Sequence, residues 1–223
     1  MKKFAFAVAA VMVATPAFSA QVLPGAGIGG NPGAAIDLFD VSTRGTLLAS
    51  TSTTGSALTF SGTFNSAVYR NTSGTIDFYY QVIRTGSGPA GDNAIQSFTV
   101  QNFDSYDIFA FRDGAFNQAG FVVANNPGTF TSTGTRSFSG NVAGVDFGAN
   151  NLVGTENSTT YILRTNAKSF TTGTFGVIDG STLQGLTFAP SVPEPATWAM
   201  MVGGFGLMGF AARRSRRAKT VLA

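Results

Sequence analysis

The sequence predicts an all-β protein, an antiparallel β-sandwich of jelly-roll-like type, joined to a single C-terminal transmembrane helix. Three observations carry that expectation. Between residues 21 and 190, short segments rich in Thr, Val, Ile, Phe and Tyr are broken by clusters of Gly, Asn, Ser and Pro, which is the composition of strands separated by turns. No window in that range repeats its apolar residues at the 3.6-residue helical period. Beyond it lie 17 residues without charge, Ala196 to Ala212, ending against a run of arginines, the pattern of a membrane span.

Taken in chain order, residues 23–33, with Pro24, Pro32 and five glycines, read as an irregular lead-in. Candidate strands follow at 34–40 and 45–51. Phe60, Phe64 and Val68 share one face, with the small Gly62 and Ser66 between them. In the segment 75–82, Ile76, Phe78, Tyr80 and Val82 alternate with Asp77 and Gln81, so this strand is expected to be half-buried with its polar residues turned to water. Further strands are expected at 94–102, 105–112, 119–124, 134–139, 142–147, 158–165, 173–179 and 183–189. Ten to twelve strands hide their apolar faces best as two packed sheets. A propeller would repeat at about 40 to 50 residues, and neither that period nor the regular rungs of a solenoid is visible.

The charge balance divides the chain. The formal net charge is +3 and the sequence pI about 9.4. Half of the 14 basic residues are Lys2, Lys3 and the five cations after Ala212; residues 21–192 keep seven basic against ten acidic groups, a net −3. Arg44, Arg70, Arg84, Arg112, Arg136 and Arg164 are scattered singly, whereas nucleic-acid binding needs a clustered basic face. No nucleic-acid partner is expected. The 172 residues between the two ends suffice for one domain with its own core, and the chain contains no cysteine that could staple it.

Histidine is also absent. That excludes Ser-His-Asp hydrolysis, thiol proteolysis and the common zinc and copper sites. No phosphate loop ending in Lys-Ser or Lys-Thr occurs, and Gly25 to Gly30 lacks the strand before it and helix after it that a dinucleotide fingerprint needs. Paired carboxylates roughly 5 to 9.5 Å apart would suffice for glycoside hydrolysis, with Glu156 and Asp107 the residues to test, and Asp104, Asp107 and Asp113 lie close in sequence. Those aspartates, or Asp37 with Asp40, would also offer oxygen ligands to Ca²⁺, although no periodic Asp pattern supports a calcium loop. The expectation is a non-enzymatic domain with no catalytic residue, no metal site and no cofactor, Ca²⁺ being the one cofactor left open. Phe supplies 21 of the 27 aromatic residues and lacks the polar tip that suits a sugar platform. Tyr69, Tyr79 and Tyr106 are the rings expected to face outward if the domain is a polysaccharide-binding, lectin-like module. The two Asn-x-Ser/Thr sequons at Asn71 and Asn157 are read as incidental.

Both ends read as targeting segments. Met1-Lys2-Lys3 precedes an apolar stretch, Phe4 to Ala14, of secretory length, and Ala17-Phe18-Ser19 places small residues at both cleavage subsites. A cut after Ser19 is expected, with a cut after Ala20 the alternative. At the other end, Ala196 to Ala212 would cover roughly 25 Å of a hydrocarbon core about 30 Å thick, a marginal span. Trp198 sits at its outer boundary, and Arg213, Arg214, Arg216 and Arg217 follow it, which keeps the tail cytoplasmic and places the rest across the membrane. Two prolines in Pro193-Glu194-Pro195 fix φ and remove two N–H donors, giving a stiff extended segment. The expected divisions are a signal peptide at 1–19, a β-sandwich at 20–191, a sorting segment at 192–217 and a cytoplasmic tail at 218–223.

The run Val192-Pro193-Glu194-Pro195-Ala196-Thr197-Trp198-Ala199, then Gly204 to Gly209 and the arginine cluster, resembles the PEP-CTERM sorting signal in its PEP-x-x-WA variant. That resemblance covers only the tail. It implies recognition of Pro193, Glu194 and Pro195 by an exosortase in the inner membrane of a Gram-negative bacterium, removal of the tail, and delivery to the cell surface or beyond. It also implies a link to exopolysaccharide and biofilm. Because such signals follow unrelated domains, it implies no activity for the residues before it.

Overall fold

The computed structural model describes residues 20–191 and 200–208. Eleven strands occupy the described part of the body: β1 (Asp37–Leu38), β2 (Thr46–Ser56), β3 (Phe60–Arg70), β4 (Ile76–Ser87), β5 (Ser97–Val100), β6 (Ile108–Asp113), β7 (Thr133–Arg136), β8 (Ala143–Asp146), β9 (Thr160–Thr165), β10 (Phe170–Ile178) and β11 (Thr182–Pro190). They form a six-stranded sheet, order β1-β6-β9-β4-β3-β2, and a five-stranded sheet, order β11-β10-β5-β8-β7. Every pairing between strands is antiparallel except the two-residue parallel contact of β1 with β6.

The all-β architecture matches the expectation, but its strand order is not that of a jelly roll. Strands β2, β3 and β4 run as a meander, and β7–β8 and β10–β11 are hairpins. Tight turns enforce this local pairing. Asn71 accepts the N–H groups of Ser73 and Thr75 through Oδ1, while Gly74 takes φ +79°, returning β3 directly into β4. Asp179 accepts from the N–H of Ser181, with Gly180 at φ +101°, between β10 and β11. Both are turns in which an Asx side chain satisfies the backbone and Gly supplies the left-handed residue.

The two sheets meet through aromatic side chains. Phe64 on β3 stacks on Phe175 of β10 at 4.1 Å between ring centroids and lies edge-on to Phe98 of β5 at 5.5 Å. Phe98 also packs against Tyr161 of β9 at 5.7 Å. The alternation read at 75–82 holds on this side, where Ile76, Phe78, Tyr80 and Val82 all enter the core; each such side chain contributes about 1.5–3 kcal/mol on burial.

The other face of β4 departs from the expectation. Asp77 and Gln81 are 0% exposed rather than turned to water. A second apolar cluster covers them, built from Ala67, Tyr69, Tyr79 and Ile162 of the sheet with Phe39, Phe116 and Phe121 from segments laid across it. One of these segments contains residues 119–124, expected as a strand. It is a loop instead, turning at Ala119 (φ +56°) and Gly120 (φ +89°). The Gln81 amide replaces a neighbouring strand: Nε2 donates to Val122 O at 2.6 Å and Oε1 accepts from Val122 N–H at 3.0 Å. Asn157 Nδ2 serves Val123 O in the same way at 2.7 Å.

The chain separates into two compact units, Met1–Pro190 and Ser191–Ala223. In the second, residues 200–208 are helical and exposed. At 1.5 Å per residue that helix is roughly 14 Å long, about half a hydrocarbon core. Among the described residues, no helix is long and apolar enough to cross a membrane. The remainder of the expected span lies outside the described residues, as does the expected signal peptide with Ala17 and Ser19.

Candidate functional site

Polar side chains gather at several places among the described residues. The first is the outer face of the six-stranded sheet. Arg164 on β9 donates to Asp77 through Nε at 3.1 Å and Nη2 at 2.8 Å, and Asn71 Nδ2 adds a third bond at 2.8 Å. Burial pushes the Asp77 carboxyl above its ordinary value, and the Arg164 and Asn71 bonds oppose that shift without cancelling it. Beside it Arg44 pairs with Asp113 at 2.6 Å and lies over Phe116 at 4.6 Å, while Arg164 lies 5.4 Å from both Phe39 and Phe111. These guanidinium–aromatic contacts fasten the crossing segments to the sheet. Tyr69 and Tyr79, expected to face outward, belong to this cluster at 3% and 0% exposure, and burial drives the Tyr79 hydroxyl far above its ordinary pKa. Tyr106 is half-buried against the main core. The three rings therefore do not form a sugar platform.

The second is the set of carboxylates. Asp107 and Asp113 are close in sequence, but Asp107 precedes β6 and Asp113 ends it, which sets them roughly 20 Å apart along the strand. Asp107 accepts from Gln21 and Asn166; Asp113 accepts from Arg44 and the Ala115 N–H. Asp40 caps the short 3₁₀ turn Val41–Thr43, and the Ser42 hydroxyl and N–H that it accepts hold its carboxyl below its ordinary value. Glu156 Oε2 accepts from Asn126 Nδ2 at 2.7 Å and the Val153 N–H at 2.9 Å, closing a turn. Glu156 precedes β9 whereas Asp107 bonds Asn166 just after it. A strand of six residues, about 20 Å, thus lies between the two carboxylates, beyond the 5 to 9.5 Å or so of a glycosidase pair. Among the described residues, no three Asp or Glu side chains converge to hold a metal ion.

The third place was not read from the sequence. On the outer face of the five-stranded sheet, Gly176 of β10 stands between Thr99 of β5 and Gln184 of β11. With Gln101, Thr174 and Thr182 these residues line a half-open trough of about 470 Å³, within the usual range for small-ligand sites. Its lining is uncharged, threonine hydroxyls and glutamine amides beside the exposed Leu186 and part of Ile178. Alternation of Thr172 and Thr174 with buried Gly173 and Phe175 was the available signal, but threonine is equally common on any exposed strand face.

A packed two-sheet β-body and a separate C-terminal unit define the class: an all-β domain with an appended terminal segment. Residues 191–217 of that segment match the family model of the PEP-CTERM protein-sorting motif. This chain therefore carries the sorting motif that marks an exported protein processed by exosortase at the membrane. Comparison with curated proteins and with solved structures returns no match. The residues assigned to the signal, Pro193, Glu194, Pro195, Trp198, Arg213, Arg214, Arg216 and Arg217, lie within the matched range and outside the described residues.

Proposed function

We propose that this chain is a non-enzymatic surface or extracellular-matrix protein, exported through the inner membrane of a Gram-negative bacterium and released from its tail there, with a role in exopolysaccharide or biofilm. The match of residues 191–217 to the sorting motif carries the reading. In it, the N-terminal leader is removed after Ser19, the span from Ala196 to Ala212 holds the precursor, and the arginines keep the tail on the cytoplasmic side. Exosortase then acts at Pro193-Glu194-Pro195, and the β-body leaves as cargo. The test replaces Pro193 and Pro195 with Ala and follows intact mass and location. The variant is expected to keep its C-terminus and remain in the membrane fraction while the wild type loses it; equal processing of both refutes the assignment.

A second reading, a polysaccharide-binding module, draws on the trough at Gly176. Its uncharged lining, threonine hydroxyls and glutamine amides beside the apolar Leu186 and Ile178, suits a neutral glycan that offers both hydroxyl groups and C–H faces. Calorimetric titration of neutral polysaccharide against wild type and Gln184→Ala tests it: heat that the substitution abolishes favours the reading, and no heat with the wild type removes it.

A further inference from the structure

A β-strand at the rim of a sheet presents unpaired N–H and C=O groups, and folded proteins commonly block it with charge, proline, shortness or a covering segment. Three of the four rims here are short or engaged. Strand β1 has two residues. The four residues of β7 are covered by the lead-in, through Ala34 and Gly134 exchanging two N–H···O bonds and Arg136 N–H donating to Ala26 O. Along β11, Leu186 O accepts from Thr53 Oγ1, Phe188 O accepts from Tyr80 Oη at 2.6 Å, and Phe188 N–H reaches Ser66 Oγ at 3.5 Å.

The fourth rim is β2, and it is open. It runs eleven residues, and among the described residues its outer backbone groups have no partner. From Thr46 to Tyr69, the whole of β2 and nearly all of β3, there is no charged residue and no proline. One irregularity, between Leu47 and Ala49, is the only blocking feature. Leu47 and Leu48 are 44% and 40% exposed at its start. A groove of about 480 Å³, lined by Thr51, Thr53, Leu186 and Phe188 among others, runs beside it.

We infer that β2 is a self-association edge, at which a second copy of this chain adds its own β2 in antiparallel orientation. The occupant follows from the chemistry of the strand. Its outward hydroxyls already pair with polar side chains on an antiparallel neighbour, Ser52 with Asn65, Thr54 with Thr63 and Ser56 with Ser61, and β2 itself offers another such hydroxyl row. An identical strand brings no opposing charge. A two-fold axis at Thr51 sets Ser50 opposite Ser52, hydroxyl against hydroxyl. The two copies would share about ten new backbone hydrogen bonds in one continuous twelve-stranded sheet. Because the contact is isologous and uses up the open rim, growth stops at two copies.

Sedimentation velocity of the full chain in mild detergent, across roughly 1–100 µM, tests this by mass action. Hydrogen exchange read at β2 separates this contact from any association through the tail. The expected result is a dimer whose β2 amides gain protection as concentration rises. The double substitution Ser50→Lys, Thr54→Lys is expected to raise the dimer dissociation constant at least about tenfold through like-charge repulsion, while Thr171→Lys on another strand leaves it unchanged. The melting temperature of each variant at low concentration reports that it is folded, and the wild-type exchange pattern decides the matter should the lysine variant not fold. Monomer at every concentration, association that leaves β2 unprotected, a folded double variant that still dimerises, or open-ended fibres would each overturn the inference.

Discussion

Replacing Gln81 with Leu should detach the loop that covers the outer face of the six-stranded sheet. The Gln81 side chain makes three bonds: Nε2 donates to Val122 O at 2.6 Å and to Ser158 O at 2.9 Å, and Oε1 accepts from Val122 N–H at 3.0 Å. A net contribution of about 1 kcal/mol per bond gives roughly 3 kcal/mol. The loss is uneven, since the Val122 groups can reach water on an exposed residue whereas Ser158 is fully buried. Leucine supplies apolar volume but no donor, so it does not restore that bond. For a body of this size the loss corresponds to a melting temperature lower by about 6–12 °C. Because Phe116 and Phe121 are held down by the same segment, the loop should open before the sheet does. Hydrogen exchange is the decisive assay: the Val122 amide should exchange at least about tenfold faster relative to the core strands. A stability loss under about 1 kcal/mol, or Val122 exchange that only follows the core strands, would refute the assignment of Gln81 as the strand substitute.

Two further outcomes follow from the packing. Phe64→Ala removes the ring that joins the two sheets and is expected to cost about 3–5 kcal/mol in urea denaturation, whereas Phe138→Ala, on a residue 67% exposed, should stay within about 0.5 kcal/mol; equal effects would show that the inter-sheet stack carries no special weight. Arg164→Leu leaves Asp77 buried without its cation, at a cost of roughly 3–5 kcal/mol near neutral pH. Burial already raises the Asp77 carboxyl above its unfolded value, and losing Arg164 raises it further. The folded variant then binds a proton that the unfolded chain has released, so its stability is fullest below the unfolded pKa and falls as pH rises through the folded one. Urea midpoints should therefore drop more, relative to wild type, at pH 7 than at pH 4, and identical drops would contradict it.

Strand positions were legible where one face was apolar and the other not. Phe60, Phe64 and Val68, and Ile76 to Val82, announced β3 and β4, because period-2 burial is written directly into side-chain order. The covering of Asp77 and Gln81 was not legible, since their partners Arg164 and Val122 lie 87 and 41 residues away and a polar residue on an alternating strand looks the same facing water or a buried partner. Residues 119–124 misled for a related reason. Phe121 and Val122 have strand-like character, but side-chain amides from Gln81 and Asn157 answer their backbone groups. The jelly-roll order failed because topology depends on which hairpins close, and the Asx turns at Asn71 and Asp179 fixed local returns that composition alone does not rank. The sorting motif matched at residues 191–217 was readable because it is a linear order of residue types rather than a site assembled by folding. The Thr99–Gly176–Gln184 trough was hidden because it exists only once three strands from distant parts of the chain lie side by side.

Strand β9 sits between β4 and β6 and bonds to both, though seventy-two residues separate the end of β4 from its start. Arg136 similarly reaches back 114 residues to the carbonyl of Val22. A polypeptide threaded outward from its N-terminus cannot complete either arrangement until the later partner has crossed, so the larger sheet stays unclosed through most of the passage. The five-stranded sheet waits longer still, because its β10 and β11 follow β9 in the chain and end only at Pro190.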